Sequence, residues 1–259
     1  MRSTATARKG GTAIALKASG GTHRGRVRPQ NQDEYLISGG PGGYVVAVAD
    51  GIGGTHGGRE ASVMAVEVVA QWLKPEDDLE RLRQAVEAAN RRVFEVGQAR
   101  PDLQGMGTTL TVCLITAAWV RVAHVGDSRA YRLTAEGLER LTTDHSVAAE
   151  MERSGSLSPQ EAAHHPQRHV LTRAVGPLPS VPVDLGQWPR RSGDRILVCS
   201  DGLVNAVPEP AICQVLAHRR GQAGVEALIQ AALEGGGEDN ITVVLVEEDD
   251  QAREVPHGR

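Results

Sequence analysis

Four aspartates lie at the ends of apolar runs that are typical of β-strands, and this placement suits a metal site. They are Asp50 in YVVAVAD, Asp127 in VRVAHVGD, Asp201 in RILVCSD and Asp239 in DNITVVLV. A carboxylate at the end of a buried strand is held by a rigid element and still faces a cleft. Several carboxylates that converge there repel one another unless a cation neutralises them. The pattern therefore predicts a bound divalent metal ion.

A plain turn is the alternative for each of these aspartates taken alone. Asp-Gly pairs favour hairpins, and aspartates commonly cap turns through nearby backbone amides. The joint occurrence of four such residues favours the metal site. Gly51 adds a position where the backbone can come close enough for its carbonyl to join a coordination shell. Oxygen donors without a His or Cys cluster indicate magnesium or manganese rather than zinc.

Arg28 is the candidate for binding an anion. It lies shortly before Asp33 in RVRPQNQDEY. The forked guanidinium group of an arginine suits a tetrahedral phosphate, which it holds through paired, charge-assisted hydrogen bonds. A surface arginine in a turn next to Pro29 is the alternative interpretation of this segment.

Other chemistries fit the sequence less well. The glycine-rich stretch 53–58 has neither a following lysine nor the G-x-G-x-x-G spacing of a nucleotide loop. The three cysteines, Cys113, Cys199 and Cys213, have no paired spacing, which favours reduced, mostly buried thiols over disulfides or a zinc cluster. Cys199 lies in an apolar run with no arginine-rich phosphate loop after it, so a nucleophilic cysteine is disfavoured.

Composition excludes further classes of protein. The chain has 259 residues, a formal net charge of −4 and a pI of about 6.1. No basic face is concentrated in the sequence, which argues against nucleic acid as a partner but not against phosphorylated protein. No apolar run approaches the roughly 18 residues of a membrane span, and the basic start lacks a signal-peptide core. We therefore expect a cytoplasmic protein without a membrane partner.

The elements that position these residues are strands first and then helices. TAIALKAS predicts an edge strand, and EYLIS with YVVAVAD predicts a hairpin. Apolar spacing predicts helices from Glu60 to Leu73 and from about Glu76 onward. MGTTLTVCLIT, WVRVAHVGD and RAYRLTAEG predict three successive strands, whose apolar residues on both faces indicate sheets covered on both sides.

The second half of the chain begins with an irregular segment and continues with a strand, two helices and a last strand. Residues 145–176, which we call the flap, are polar and irregular, and a short helix opens at Ser158 in a capping-box pattern. RILVCSDG predicts a strand, residues 208–233 two helices, and ITVVLVEE the last strand. The chain has no internal repeat and no linker that would divide it. We expect an α+β sandwich in one domain, residues 13–248, between mobile tails at 1–12 and 249–259.

Eight motifs together carry a family resemblance. They are RVRPQNQDEY, VADGIGGTHGGREAS, GMGTTLTV, HVGDSRAYRL, LTTDHS, HVLTRAVG, VCSDGL and EDNITVVLV. In this order they resemble the bacterial PPM (PP2C-type) metal-dependent serine/threonine protein phosphatases, over roughly residues 13–246. The resemblance implies a central antiparallel β-sandwich flanked by pairs of helices. It also implies hydrolysis of phosphoserine and phosphothreonine by a metal-bridged hydroxide, in one step.

The resemblance also assigns roles, residue by residue. It implies two Mn²⁺ or Mg²⁺ ions per subunit and a third that is bound more weakly. The implied roles are Asp50 as the bridge between two ions, Gly51 as a carbonyl ligand, Asp201 and Asp239 as ligands that complete one shell, Asp33 as a residue acting through water, Asp127 as a ligand of the third ion, and Arg28 as the phosphate-binding residue. The implied partners are phosphorylated proteins, with a bacterial Ser/Thr kinase acting in opposition, and we expect a monomer.

The sequence departs from the family pattern in ways that concern proton transfer. Ile52 stands where many eukaryotic relatives have a histidine as the proposed general acid, so the acid is unassigned. Thr55 separates the glycine pair from His56, which is therefore not taken as catalytic.

The remaining histidines receive no catalytic role. His124 is interpreted as a core or cleft histidine, and His164 and His165 as solvated flap residues. His145 follows the family pattern without an assigned role. Two alternatives stay open: a catalytically silent binding module on the same fold, which would be expected to lack a metal carboxylate, and a hydrolase of small phosphate esters.

Overall fold

The computed structural model of the protein describes residues 14–52 and 54–249, without the side chains of residues 54–56. The predicted tails and the side chain of His56 lie outside the described residues, except Asp249, whose amide donates to the Ala15 carbonyl. None of the described helices is long and apolar enough to span a membrane.

The described backbone forms eleven strands and seven α-helices. The strands are β1 Leu16–His23, β2 Asp33–Gly40, β3 Gly43–Ile52, β4 Gly107–Thr108, β5 Leu110–Thr116, β6 Trp119–Val125, β7 Arg129–Thr134, β8 Gly137–Arg140, β9 Asp184–Pro189, β10 Arg195–Cys199 and β11 Ile241–Glu248. The helices are α1 Gly54–Trp72, α2 Leu79–Ala99, α3 Val147–Arg153, α4 Pro159–Ala163, α5 Asp201–Ala206, α6 Glu209–His218 and α7 Gly221–Glu234.

The strands form two antiparallel sheets. One has the order β1-β11-β10-β7-β8, and the other has the order β2-β3-β5-β6-β9, with β4 paired to β3. Because neighbouring strands run in opposite directions, the ends of β3 and β6 and the start of β11 can meet at one edge of the sandwich. This edge carries the predicted site.

Side-chain alternation explains why the strands are apolar on both faces. In β3, Val45, Ala47 and Ala49 pack with α1 and α2, whereas Val46 and Val48 pack against the other sheet. The strand β11 behaves in the same way toward α7 and the inter-sheet core. Three apolar layers therefore hold a helix–sheet–sheet–helix sandwich, and the predicted α+β architecture is confirmed.

The predicted elements differ from the observed ones mainly at their bounds. The β2–β3 hairpin and the capping box at Ser158 are confirmed. The first helix was expected from Glu60, but it begins at Gly54, and the edge strand β1 runs to His23 rather than ending at Ser19. The sequence did not predict β8, β9, α3 or α5.

Candidate metal centre

One cleft of about 990 Å³ brings most of the predicted residues together. Among the residues that line it are Arg28, Asp50, Gly51, Asp127, Asp201 and Asp239. The seventh, Asp33, does not line the cleft and is 1% exposed. The structure thus divides the predicted set into a lining group and one buried carboxylate.

Asp33 lies opposite Asp50 in the β2–β3 ladder. The hydroxyls of Ser200 and Thr242 donate to its Oδ2 at 2.8 and 2.7 Å, and its buried Oδ1 has no hydrogen-bond partner among the described residues. Burial raises the pKa of Asp33 to about 7, against the two hydroxyl bonds, which lower it. The unpartnered oxygen can still accept a hydrogen bond, which fits a role through water.

Asp50 is held through its backbone. The Thr109 side chain accepts from the Asp50 amide at 2.9 Å, and the Asp50 carbonyl accepts from the Thr108 hydroxyl at 2.9 Å. Desolvation raises the pKa of Asp50 well above its ordinary value, and the charges of Asp33 and Asp201 raise it further. The carboxylate group at this position is therefore unfavourable without a nearby cation.

Gly51 is required by packing. A Cβ at this position would lie 2.1 Å from the Gly58 carbonyl oxygen and 2.9 Å from that of Gln32. The absence of a side chain therefore lets β3 approach the first turns of α1, in addition to any access it gives to the Gly51 carbonyl.

Asp201 lies at the start of a helix rather than at the end of a strand. It is the first residue of α5, after the N-cap residue Ser200. Its Oδ2 accepts from the Asn205 amide at 2.9 Å and is 3.6 Å from His169 Nδ1. Its buried Oδ1 has no hydrogen-bond partner among the described residues, so one oxygen of Asp201 is available for a ligand.

Arg28 and Asp239 form an ion pair at 2.7 Å across the two segments that flank the cleft. Asn240 holds these segments together, because its Oδ1 accepts from the Gln32 amide and its Nδ2 donates to the carbonyls of Arg24 and Gln30. These contacts fix the loop that carries Arg28.

Asp127 follows β6 and is nearly buried. Burial raises its pKa well above the ordinary value, and the charges of Asp201 and Asp144 act in the same direction, with Arg129 opposing them. Asp127 is therefore electrostatically connected to Asp201, although the two come from opposite sheets.

The donor set fits a hard divalent cation. Carboxylate oxygens dominate the cleft, mutual repulsion disfavours their ionised forms, and one oxygen each of Asp33 and Asp201 is unpartnered among the described residues. Within the described part of the chain, no three His, Cys, Asp or Glu side chains are already arranged around one point. The contacts explain this, because Asp239 is turned to Arg28 and Asp33 to Ser200 and Thr242.

The predicted non-catalytic residues lie elsewhere. His124 is buried, its ring nitrogens face Thr111 and Thr143, and burial lowers its pKa to about 3. His164 is exposed and His165 partly exposed in the flap. Cys199 is buried, and burial raises the pKa of its thiol to about 12, which does not suit a nucleophile.

Sequence reasoning missed several residues of the site. Ser200, Thr242 and Thr109 lie inside the quoted motifs, but a hydroxyl in an apolar segment gives no signal of the distant aspartate that it contacts. His169 lines the cleft from the flap, although its motif had suggested no role.

Comparison with known proteins agrees with this geometry. Residues 20–234 match the family model for protein phosphatase 2C, and the chain belongs to that family. The serine/threonine phosphatase stp of Listeria monocytogenes is 38% identical over 237 residues, which cover 88% of this chain and 94% of that protein.

Two solved structures are also similar. The Mycobacterium tuberculosis serine/threonine phosphatase PstP/Ppp superimposes with a TM-score of 0.83 at 35% identity, over 90% of this chain and 99% of that one. The catalytic domain of PstP in complex with two manganese ions gives a TM-score of 0.82 at 33% identity, over 92% of this chain and all of that one (100%).

Proposed function

We propose that this protein hydrolyses phosphoserine and phosphothreonine in other proteins and that it requires divalent metal ions. The observation that carries the proposal is the convergence of four aspartates and one arginine on a single cleft. Membership of the protein phosphatase 2C family supports it. Opposition to a bacterial Ser/Thr kinase and a monomeric state belong to the same proposal.

The aspartates would hold the ions. Asp50 would bridge two of them, with Gly51 contributing its carbonyl and with Asp201 and Asp239 completing one shell. Asp127 would hold a third, weaker ion shared with Asp201. Ions of this kind lower the pKa of bound water and neutralise the negative charge on the oxygens of a phosphate group. The relative PstP, crystallised with two manganese ions, supports manganese as one candidate and leaves magnesium as the other.

Arg28 would bind the phosphate of the substrate. Its guanidinium now pairs with Asp239, and a cation at Asp239 would compete for that carboxylate. The half-exposed arginine is then free to donate to phosphate oxygens from the rim of the cleft. Metal binding and phosphate binding would therefore be coupled through the side chain of Asp239, which pairs with Arg28 when no ion is bound.

Asp33, which is buried beside Asp50, would act through a water molecule. Because Ser200 and Thr242 fix its Oδ2, the carboxyl group is oriented, and its Oδ1 can accept a hydrogen bond from water. Its contribution would be to hold a water molecule beneath the carboxylates that line the cleft.

The test compares substrates. Phosphate release is measured with manganese from phosphoserine and phosphothreonine peptides and from a panel of small phosphate metabolites, with Asp201→Asn as the inactive control. We expect peptide turnover that the control lacks. Faster turnover of a metabolite than of every peptide would assign the site to small esters, and no turnover of any substrate would favour a silent binding module.

A further inference from the structure

The loop that carries Asp127 is held by His145 through two reciprocal hydrogen bonds. The Gly126 amide donates to His145 Nδ1 at 3.0 Å, and the His145 amide donates to the Gly126 carbonyl at 2.7 Å. The His145 side chain is fully buried. Both polar groups of the residue that directly precedes Asp127 are thus bound by a single histidine.

The opposite side of the loop is fixed as well. Gly126 has a positive φ of 112°, and a Cβ there would lie 2.6 Å from the Thr109 side chain. Thr109 also accepts from the Asp50 amide and hydrogen-bonds the Ser128 hydroxyl at 2.8 Å. Gly126 therefore lies between Thr109, which belongs to the Asp50 side of the cleft, and His145.

The contacts determine the tautomer of His145. Since Nδ1 accepts from the Gly126 amide, a neutral ring carries its proton on Nε2 and donates it to Asp184 Oδ2 at 3.2 Å. Arg173 lies 3.3 Å from the same Nε2, but two donors cannot bond each other, so the bond of Arg173 is the one to Asp184 Oδ1 at 2.8 Å. Burial lowers the pKa of His145, which agrees with a neutral ring.

This arrangement connects the flap to Asp127. Arg173 belongs to the flap, and the amide of the neighbouring Thr172 donates to the His145 carbonyl at 2.9 Å. Arg173 and His145, which lie near the two ends of the flap, both bind Asp184, and His145 also binds the Gly126 backbone.

We propose that His145 is a positioning residue for Asp127, and that its neutral ring, protonated on Nε2, holds the Gly126 amide so that the Asp127 carboxylate faces the third ion. The inference rests on the proposed role of Asp127. Partners that orient a ligand typically change metal affinity by about 10- to 100-fold when they are removed. Loss of the His145 contact should therefore lower the affinity for the third ion and leave the affinities for the other two unchanged.

The experiment counts and ranks Mn²⁺ sites by calorimetric titration of the full chain. The variants are His145→Asn, whose Oδ1 can replace the Nδ1 acceptor, His145→Gln, whose polar group lies near the Nε2 position instead, and Asp127→Asn. We expect two tight sites in every variant. The weak site should be lost in Asp127→Asn and should bind Mn²⁺ about tenfold more weakly in His145→Gln. In His145→Asn it should keep most of the affinity that it has in the unmodified chain.

Three results would overturn the inference. The first is a weak-site affinity in His145→Gln that equals that of the unmodified chain, and the second is equal weakening of all sites in that variant. The third requires no substitution: nitrogen NMR of the unmodified chain that shows the His145 proton on Nδ1. A chain with no weak site at all, or a weak site that survives Asp127→Asn, would instead refute the proposed role of Asp127.

Discussion

Asp33 and Asp50 face each other across adjacent strands, as a directly opposed pair in the β2–β3 ladder. Like charges in this position destabilise a sheet. Both pKa values are raised, that of Asp33 to about 7 and that of Asp50 well above its ordinary value, mainly by burial. The pair is therefore the electrostatically unfavourable part of the fold in the absence of a cation, and this has consequences for stability.

The stability of the metal-free protein should depend on the protonation of Asp33. Its folded pKa, about 7, lies above the unfolded value of about 3.9, so the unfolded chain loses this proton first as pH rises. The contribution of protonated Asp33 to the free energy of unfolding is complete below about pH 4 and is lost as pH rises toward about 7. Relative to Asp33→Asn, the free energy of unfolding should fall by more than about 1 kcal/mol across this range.

Urea unfolding in a chelator, at a series of pH values, measures this difference. Saturating manganese should remove it, because a bound cation favours the ionised carboxylates. Parallel stability curves for the two metal-free proteins would show that Asp33 does not carry the effect.

Substitution of Asp201 should reduce turnover more than substitution of Asp127. Asp201→Asn is expected to abolish turnover with the fold intact, because this carboxylate would complete the main metal shell. Asp127→Asn should retain part of its turnover at saturating manganese, because the two tight sites are expected to remain and only the third ion is lost. Metal-dependent rates, with circular dichroism as the control for folding, separate the two residues. Equal losses in both variants would refute the proposed inequality.

Arg28→Ala should mainly raise KM for a phosphopeptide, by about tenfold, because a charge-assisted contact to phosphate is removed. Its effect on the free energy of unfolding should be below about 1 kcal/mol, since Arg28 is half-exposed and its pair with Asp239 is only partly buried. Arg26→Ala is the matched control, because Arg26 is exposed nearby but does not line the cleft. Equal KM values for the two variants would show that Arg28 does not bind the phosphate of the substrate.

Cys199→Ser should remain active once folded and loaded with metal. The thiol is buried and its pKa is raised to about 12, so it supplies no thiolate. The expected cost is in stability, about 1 kcal/mol or more, because a hydroxyl replaces a thiol in the core. Cys113→Ser, an equally buried substitution, controls for this cost. Near-complete loss of turnover in Cys199→Ser alone would support a cysteine nucleophile.

The sequence could predict the layered fold because β3 and β11 are strongly apolar along their whole length. Successive side chains of each strand enter two different apolar layers, and this leaves an uninterrupted apolar run. The positions of Asp50, Asp127 and Asp239 at the edge of the sandwich follow from the same runs.

Weakly apolar elements could not be predicted because tertiary contacts form them. The strand β9, DLGQWP, contains a glycine and a proline and exists through pairing with β6. The strand β1 continues through Gly20 and Gly21 because β11 pairs with it along its whole length. Four glycines concealed the start of α1, because glycine disfavours a helix. One of them, Gly58, is required by packing, since a Cβ there would lie 2.8 Å from the Gly51 backbone.

The site was predictable in its residue types but not in its connections. Aspartates at the ends of strands indicated the metal, whereas the distance in sequence between Asp33 and its partners Ser200 and Thr242 gave no local signal. The contact between His145 and Gly126 likewise depends on the fold, which places the end of one sheet beside a loop from the other.

Chelation tests the central claim most directly. Phosphate release from a phosphothreonine peptide is measured with manganese, after treatment with a chelator, and after manganese is restored. We expect turnover with manganese, none after chelation, and recovery when the ion returns, because the carboxylates of the cleft act through bound cations. Turnover that survives complete chelation would contradict the account.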